Sequence, residues 1–120
     1  MQLRLSPSVN LEGSIALPAS KSISNRALII SALCENSYPI ENLAICDDTR
    51  VLAEALQLDN KIIDIGAAGT AMRFLTAFLA ITKGVWTLTG SERMKQRPIA
   101  ILVDALKKRV FHLYKLLELL

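Results

Sequence analysis

Apolar and polar positions follow two different periods along this chain. Four segments place apolar residues at the three- and four-residue spacing of amphipathic helices. They are Lys21–Cys34, the segment capped by Asp47 and Asp48, the segment after Gly66–Thr70 and the segment after Pro98. Shorter runs have the composition of strands: Gln2–Leu5, Gly13–Leu17, Pro39–Leu43, Lys61–Ile65 and Gly84–Gly90. Because helices and strands alternate, the pattern predicts a mixed α/β (α+β) fold.

The first predicted helix has a start suited to an anion. Ser20 is a good cap, because a serine oxygen accepts a free backbone N–H of the first turn. Lys21, Ser22 and Arg26 follow, where the free N–H groups and the helix dipole already favour negative charge. The same spacing predicts an inward apolar stripe formed by Ile23, Ala27, Ile30 and Cys34. From the residues alone, an anion site and a solvated helix start both remain open.

Two later segments also place small or basic residues just before or at the start of a predicted helix. Gly66–Arg73 (GAAGTAMR) contains small residues that let a ligand approach the backbone, although on local grounds a tight turn from strand to helix explains them better. Arg93–Pro98 holds three cations before a helix that is predicted to start at the proline. The segment is either a solvated basic loop or a site where an arginine presents its planar guanidinium to a carboxylate or phosphate. If all three segments converge, they form a receptor for a small polyanion.

Composition narrows the classes of function. The 120 residues are 52% hydrophobic, so we expect a packed core in one small domain or part of a larger one. Aromatic residues make up only 5%, which argues against nucleic acid as a partner. Cys34, Cys46 and His112 lack metal-ligand spacing, so no metal site is expected. The N-terminus has no signal-peptide pattern and the longest apolar run is too short for a membrane, so we expect a cytoplasmic protein.

Four segments, in the same order, resemble the N-terminal part of the 5-enolpyruvylshikimate-3-phosphate synthase family. LPASKSISNRALI resembles the family's LPGSKSxSNRAL segment, and Asp47–Arg50 resembles its DDT/VR helix start. Gly66–Arg73 is similar to its NAGTAMR loop, and Ser91–Leu106 resembles its RMKERPI…LVDAL segment. The resemblance covers about residues 3–108. It implies part of the enolpyruvyl-transferase fold, which is built from βαβαββ units.

The resemblance also implies a function. Enzymes of this family transfer the enolpyruvyl group of phosphoenolpyruvate to shikimate 3-phosphate without a metal or organic cofactor, and glyphosate competes at the phosphoenolpyruvate site. By this match Ser22 and Arg26 would hold shikimate 3-phosphate, and Lys21 would contact both substrates. Gly69 and Arg97 would bind phosphoenolpyruvate. None of the family's catalytic residues matches a position in this chain, and Ala67 replaces the usual asparagine of the glycine loop.

The match divides the chain into three parts. Residues 1–17 would be strands that complete a distal domain, and residues 18–108 a partial substrate-binding domain. Residues 109–120 depart from the family pattern, and we interpret them as an atypical tail, read out of frame. We therefore expect an incomplete, inactive fragment that self-associates through exposed core. The alternatives are a non-catalytic anion-binding or protein-interaction module and, disfavoured by the few aromatic residues, an RNA-binding module.

Overall fold

The secondary structure consists of short helices around a small sheet. The computed structural model describes residues 3–4, 10, 12–35, 38–57 and 59–117, with side chains up to residue 109. The helices are α1 (Lys21–Leu33), α2 (Asp47–Ala55), α3 (Gly69–Ile81), α4 (Glu92–Lys95) and α5 (Ala100–Leu117). The strands are β1 (Ile62–Asp64) and β2 (Thr87–Thr89). No helix among the described residues is long and apolar enough to cross a membrane.

The two strands form a parallel pair, with Ile63 opposite Leu88. Parallel neighbours need a crossover connection, and α3 provides it. Backbone bonds extend the pairing at the carboxyl end, where Ile65 N–H donates to the Thr89 carbonyl at 2.9 Å. The predicted mixed α/β character is therefore confirmed, with β1–α3–β2 as its central unit.

The core lies between α2, β1, α3 and α4. Leu52, Ile65 and Leu75 are almost completely buried, and Met94 of α4 closes the cluster. The apolar faces predicted for the second, third and fourth helices are confirmed in α2, α3 and α5. Each of those faces packs against the cluster or against α3, which explains why helical periodicity predicted them correctly.

The apolar stripe predicted for α1 is wrong at three of its four positions, and only Ala27 is half-buried. Ile23 is 70% exposed, Ile30 is 62% exposed, and Cys34 is also exposed. The helix instead buries Ser24 and Asn25. The reason is that the segment before α2 and the start of α2 offer hydrogen-bonding partners, and these turn the polar side of α1 inward.

Two predicted strands do not form. Gly13–Leu17 and Pro39–Leu43 have no strand structure, although both are described. An extended segment becomes a strand only when another strand accepts its backbone hydrogen bonds, and neither segment pairs with one here. Of Gln2–Leu5, only Leu3 and Arg4 lie within the described residues, and neither is in a strand. The other two predicted strands are confirmed as the shorter β1 and β2.

Three helix starts differ from expectation. Pro98 is not the first helical residue, because α5 begins two residues later, at Ala100. Asp47 is the first helical residue of α2 rather than its cap, because Cys46 occupies the capping position without a side-chain hydrogen bond. The basic loop contains an unexpected turn of helix, α4, which Ser91 caps by accepting from Met94 N–H at 3.3 Å. Helix α5 continues past residue 109 to Leu117, and the side chains there, His112 included, lie outside those described.

Candidate anion-binding site

Ser20 caps α1 as the sequence predicts. Its backbone is extended, and its Oγ accepts from Ile23 N–H at 3.5 Å. Its carbonyl accepts the first helical bond, from Ser24 N–H at 2.9 Å. The α1 start is exposed at Lys21 and Ser22, so an anion can approach it from solvent.

The cations of α1 are held in two different ways. Arg26 donates from Nη1 to the Ser22 carbonyl oxygen at 2.9 Å, one turn earlier. A guanidinium has five N–H donors, so this bond leaves others for a ligand. Lys21 Nζ lies 3.5 Å from Asp48 Oδ2, at the start of α2. The structure therefore brings Ser22 and Arg26 together and places an acidic side chain beside Lys21.

Two glycine-containing loops meet at the carboxyl ends of β1 and β2. Gly66 has a φ of +54°, and its N–H donates to Asp64 Oδ1 at 2.8 Å. Ser91 N–H donates to the Gly66 carbonyl at 2.9 Å. A Cβ on Gly90 would lie 2.8 Å from the same carbonyl, so this close approach requires glycine. Ligands of parallel α/β folds commonly bind at this edge of the sheet.

Gly69 and Arg97 are in contact at this edge. A Cβ on Gly69 would collide with Arg97 Nη1 and lie 3.1 Å from Arg97 Cζ. Helix α4 determines this placement, because Met94 is buried in the core and its carbonyl accepts from Arg97 N–H at 3.0 Å. The missing side chain at Gly69 therefore makes room for the guanidinium itself.

The predicted site residues thus form two groups. Lys21, Ser22 and Arg26 lie in the first two turns of α1, and Gly69 and Arg97 meet at the start of α3. Helices α1 and α3 pack against each other. No hydrogen bond or ion pair in the described part of the chain joins the two groups directly. Their positions are geometric findings, and their roles in binding remain predictions.

Sequence reasoning missed three residues next to the first group. The sequence predicts that Asp48 is part of a helix cap, whereas in the structure it pairs with Lys21. Asn25 and Thr49 bond to each other inside the protein, between α1 and α2. The available signal was the adjacency of Asp48 and Thr49 in the DDTR segment, but no sequence rule specifies that this segment contacts α1.

The chain matches the sequence profile of EPSP synthase (3-phosphoshikimate 1-carboxyvinyltransferase) over residues 5–59 and 57–110. The chain belongs to the EPSP synthase family. A 3-phosphoshikimate 1-carboxyvinyltransferase of Bacteroides fragilis (strain YCH46) is 56% identical over 113 residues, which are 94% of this chain and 28% of the relative. The resemblance inferred from the motifs is confirmed.

More distant relatives carry the same name. The 3-phosphoshikimate 1-carboxyvinyltransferase of Shewanella sp. (strain W3-18-1) is 41% identical over 133 residues, covering 89% of this chain and 31% of the relative. That of Tolumonas auensis is 39% identical over 140 residues, covering 95% of this chain and 33% of the relative. The chain thus spans about a third or less of the length of these EPSP synthases. No solved structure matches it.

Proposed function

We propose that this chain supplies substrate-binding residues for enolpyruvyl transfer from phosphoenolpyruvate to shikimate 3-phosphate. The observation that carries the proposal is the contact between Gly69 and Arg97 at the carboxyl edge of the parallel strands. Two sequence segments far apart in the chain meet there, in a family whose named members catalyse this transfer.

Shikimate 3-phosphate is assigned to the α1 start. Lys21 and Arg26 supply positive charge, while Ser22 and the free N–H groups of the helix supply hydrogen-bond donors. All three side chains belong to exposed residues, and Arg26 retains donors beyond its bond to Ser22. A phosphate monoester matches this combination of charge and directed donors.

Phosphoenolpyruvate is assigned to Gly69 and Arg97, with Lys21 contacting both substrates. The planar guanidinium of Arg97 can bind a carboxylate or phosphate with two parallel hydrogen bonds. Gly69 supports that role by leaving space for the guanidinium at the first residue of α3. Ala67 offers no side-chain hydrogen bond in this loop, so the backbone and Arg97 are the donors assigned here.

In the reaction, the 5-hydroxyl of shikimate 3-phosphate adds to the enolpyruvyl double bond, and phosphate is then eliminated. The residues named above bind and orient the two anions, which lowers the entropic cost of bringing them together. Proton transfer and transition-state stabilisation require groups placed around the reacting atoms. None of the residues assigned here has that role, so we propose that the chain alone binds without turnover.

The larger architecture is proposed on the same basis. Residues 18–108 would form part of a substrate-binding domain of βαβαββ units, residues 1–17 would contribute to a distal domain, and residues 109–120 would be an atypical tail. The β1–α3–β2 crossover supports the first part of this assignment. A cytoplasmic location is supported by two free thiols, Cys34 and Cys46.

Calorimetric titration with shikimate 3-phosphate tests the proposal. We compare the parent chain with Lys21→Gln and with Lys83→Gln, which removes the same charge from an exposed lysine after α3. We expect the parent to bind. Relative to the parent, the affinity of Lys21→Gln should be roughly tenfold weaker, as expected for losing a charge-assisted hydrogen bond, and that of Lys83→Gln should be unchanged. Absence of binding, or equal loss in both variants, would contradict the proposal.

A phosphate-release assay with both substrates separates binding from catalysis. We expect no turnover by the chain alone. Robust phosphate release would refute the claim that essential groups are missing. Absence of shikimate 3-phosphate binding together with RNA retention that falls with salt would instead favour an RNA-binding module.

A further inference from the structure

Helix α1 is attached to α2 by a buried pair of polar side chains. Thr49 Oγ1 donates to Asn25 Oδ1 at 2.8 Å, and the two residues are 2% and 0% exposed. We call Asn25 and Thr49 the α1–α2 lock. A second bond, from Ala44 N–H to Ser24 Oγ at 2.9 Å, ties the adjacent residue of α1 to the segment before α2.

The two lock residues are close along the chain to the two partners of an ion pair in the proposed site. Lys21 is four residues before Asn25, so the two lie on one face of α1. Asp48 is the residue before Thr49, and its Oδ2 lies 3.5 Å from Lys21 Nζ. Asn25 is therefore one turn after Lys21 on α1, and Thr49 is next to Asp48 on α2.

The ion pair is too exposed to determine this geometry. The side chain of Lys21 is 49% exposed and that of Asp48 is 23% exposed. Such a pair is screened by water and ions and gains little from holding two flexible side chains together. A buried hydrogen bond is directional, and breaking it strands a polar group away from water. The Ser24 bond reaches only the segment before α2, whereas the lock joins α1 to α2 directly, so we assign the spacing of the two helices to the lock.

The lock also has a feature that stability alone does not explain. Asn25 Nδ2 is buried and has no hydrogen-bond partner within the part of the chain that the structure describes. Burying an unpaired donor costs free energy, and an apolar side chain of the same size would avoid that cost. A polar pair of this kind specifies one arrangement of two helices at some expense in stability.

We propose that Asn25 and Thr49 are positioning residues, which hold Lys21 beside Asp48 so that its ammonium group faces shikimate 3-phosphate. The ligand in this statement rests on the proposed function, whereas the placement of Lys21 does not. Neither lock residue contacts the substrate. They act by fixing α1 against α2, and Asp48 then restrains the flexible lysine side chain.

The deciding variant is the double substitution Asn25→Leu and Thr49→Val. It replaces both partners with apolar side chains of similar shape, so that neither member of the lock is left unpaired, and such replacements are close to neutral for stability. Thr49 Oγ1 also lies 3.2 Å from Cys46 Sγ, a contact that the double variant removes and that a thiol, as a weak hydrogen-bonding group, loses at little cost. Thr49→Ser is the matched control, because it keeps the hydroxyl. If the double variant does not fold, Thr49→Val alone provides the same comparison with Thr49→Ser.

The first readout needs no substrate. A water-soluble carbodiimide joins a carboxylate to a neighbouring amine as an amide, and mass spectrometry measures the yield of the Lys21–Asp48 cross-link. The internal control is Lys95 with Glu92, 2.7 Å apart within α4, which contributes no residue to the lock. We expect the Lys21–Asp48 yield to fall roughly tenfold in the double variant, because the apolar pair keeps the burial but no longer fixes the distance and angle between the helices. The Lys95–Glu92 yield should be the same in the double variant as in the parent. The Thr49→Ser variant should give the parental yield of the Lys21–Asp48 cross-link. An unchanged Lys21–Asp48 yield in the folded double variant would overturn the proposal.

The second readout is the affinity for shikimate 3-phosphate by calorimetry. We expect roughly tenfold weaker binding in the double variant and parental binding in Thr49→Ser. Parental affinity in a double variant that has lost the cross-link would overturn the positioning role. If no protein binds, the parent included, the proposed function fails, and the cross-link still decides whether the lock places Lys21.

Discussion

Helices α1 and α3 both have 13 residues, and both begin at a proposed anion site, yet opposite kinds of residue attach them to the protein. Helix α3 buries an apolar face that includes Ala71, Leu75 and Phe78. Helix α1 buries Ser24 and Asn25 instead. Leu28 and Ile29 add only partly buried contacts to the core.

The apolar contacts of α3 and the polar contacts of α1 contribute differently to stability and to orientation. Apolar burial is roughly proportional to area and tolerates small rotations, so it stabilises α3 without defining its orientation finely. Hydrogen bonds depend on distance and angle, so the polar contacts of α1 define its orientation more closely than they add stability. We therefore expect substitutions in α3 to affect stability most, and substitutions in α1 to affect the position of the site.

The largest effect is expected for Leu75→Ala in α3. Leu75 is fully buried, so losing its side chain removes apolar burial and leaves a cavity, at a cost of about 2–5 kcal/mol. The matched change in α1, Ile30→Ala, removes a largely exposed side chain and should change stability by less than about 0.5 kcal/mol. Urea unfolding followed by circular dichroism measures both. Equal losses would show that α1 and α3 are attached in the same way.

An intermediate effect is expected for Ser24→Ala in α1. The substitution removes the acceptor of Ala44 N–H, and an unpaired buried donor costs about 1–3 kcal/mol. Ser22→Ala is the control for unfolding, because Ser22 is exposed and α1 propensity changes similarly. If the two variants unfold at the same urea concentration, the polar contacts of α1 are not what attaches it.

The same contrast explains what the sequence could predict. Helix α3 was predicted correctly because Leu75 and Phe78 repeat at the helical period, and apolar burial leaves that period in the sequence. The capping role of Ser20 and the pair of strands around α3 were also predictable, since each follows from local chemistry. Motif order identified the family without any knowledge of packing.

The orientation of α1 was not predictable from its own residues. Its periodicity pointed to Ile23 and Ile30, but a hydrogen bond between Asn25 and Thr49 depends on a partner 24 positions away. The contact of Gly69 with Arg97 is equally non-local, because the glycine shows only that something approaches closely. The absent strand at Gly13–Leu17 has the same cause, since strand formation depends on a pairing segment elsewhere.

A smaller stability effect, with a larger effect on binding, is expected for Gly69→Ala. The new methyl group would collide with the Arg97 guanidinium, which lies at the end of a flexible side chain and can move. Stability should therefore change by less than about 1 kcal/mol, partly because alanine restricts the unfolded chain more than glycine. Unfolding in urea measures this change in the free energy of unfolding.

The binding effect of Gly69→Ala is read from phosphoenolpyruvate titrations. Displacing the guanidinium should weaken binding severalfold, whereas Gly13→Ala, where a Cβ meets no atom within 4 Å, should bind like the parent. Unchanged phosphoenolpyruvate affinity in Gly69→Ala would contradict the assignment of Arg97.

The smallest effect on stability is expected for Ile23→Gln combined with Ile30→Gln. Both side chains are mostly exposed on α1, so replacing them should shift the unfolding free energy by less than about 0.5 kcal/mol each. Two exposed isoleucines on one helix nevertheless favour association between copies of the chain, because contact removes apolar surface from water. Sedimentation velocity over a range of concentrations should show self-association of the parent and a weaker tendency in the double variant. Equal association of both proteins would assign the contact to another surface, and a large loss of stability would mean that this face of α1 is buried rather than free.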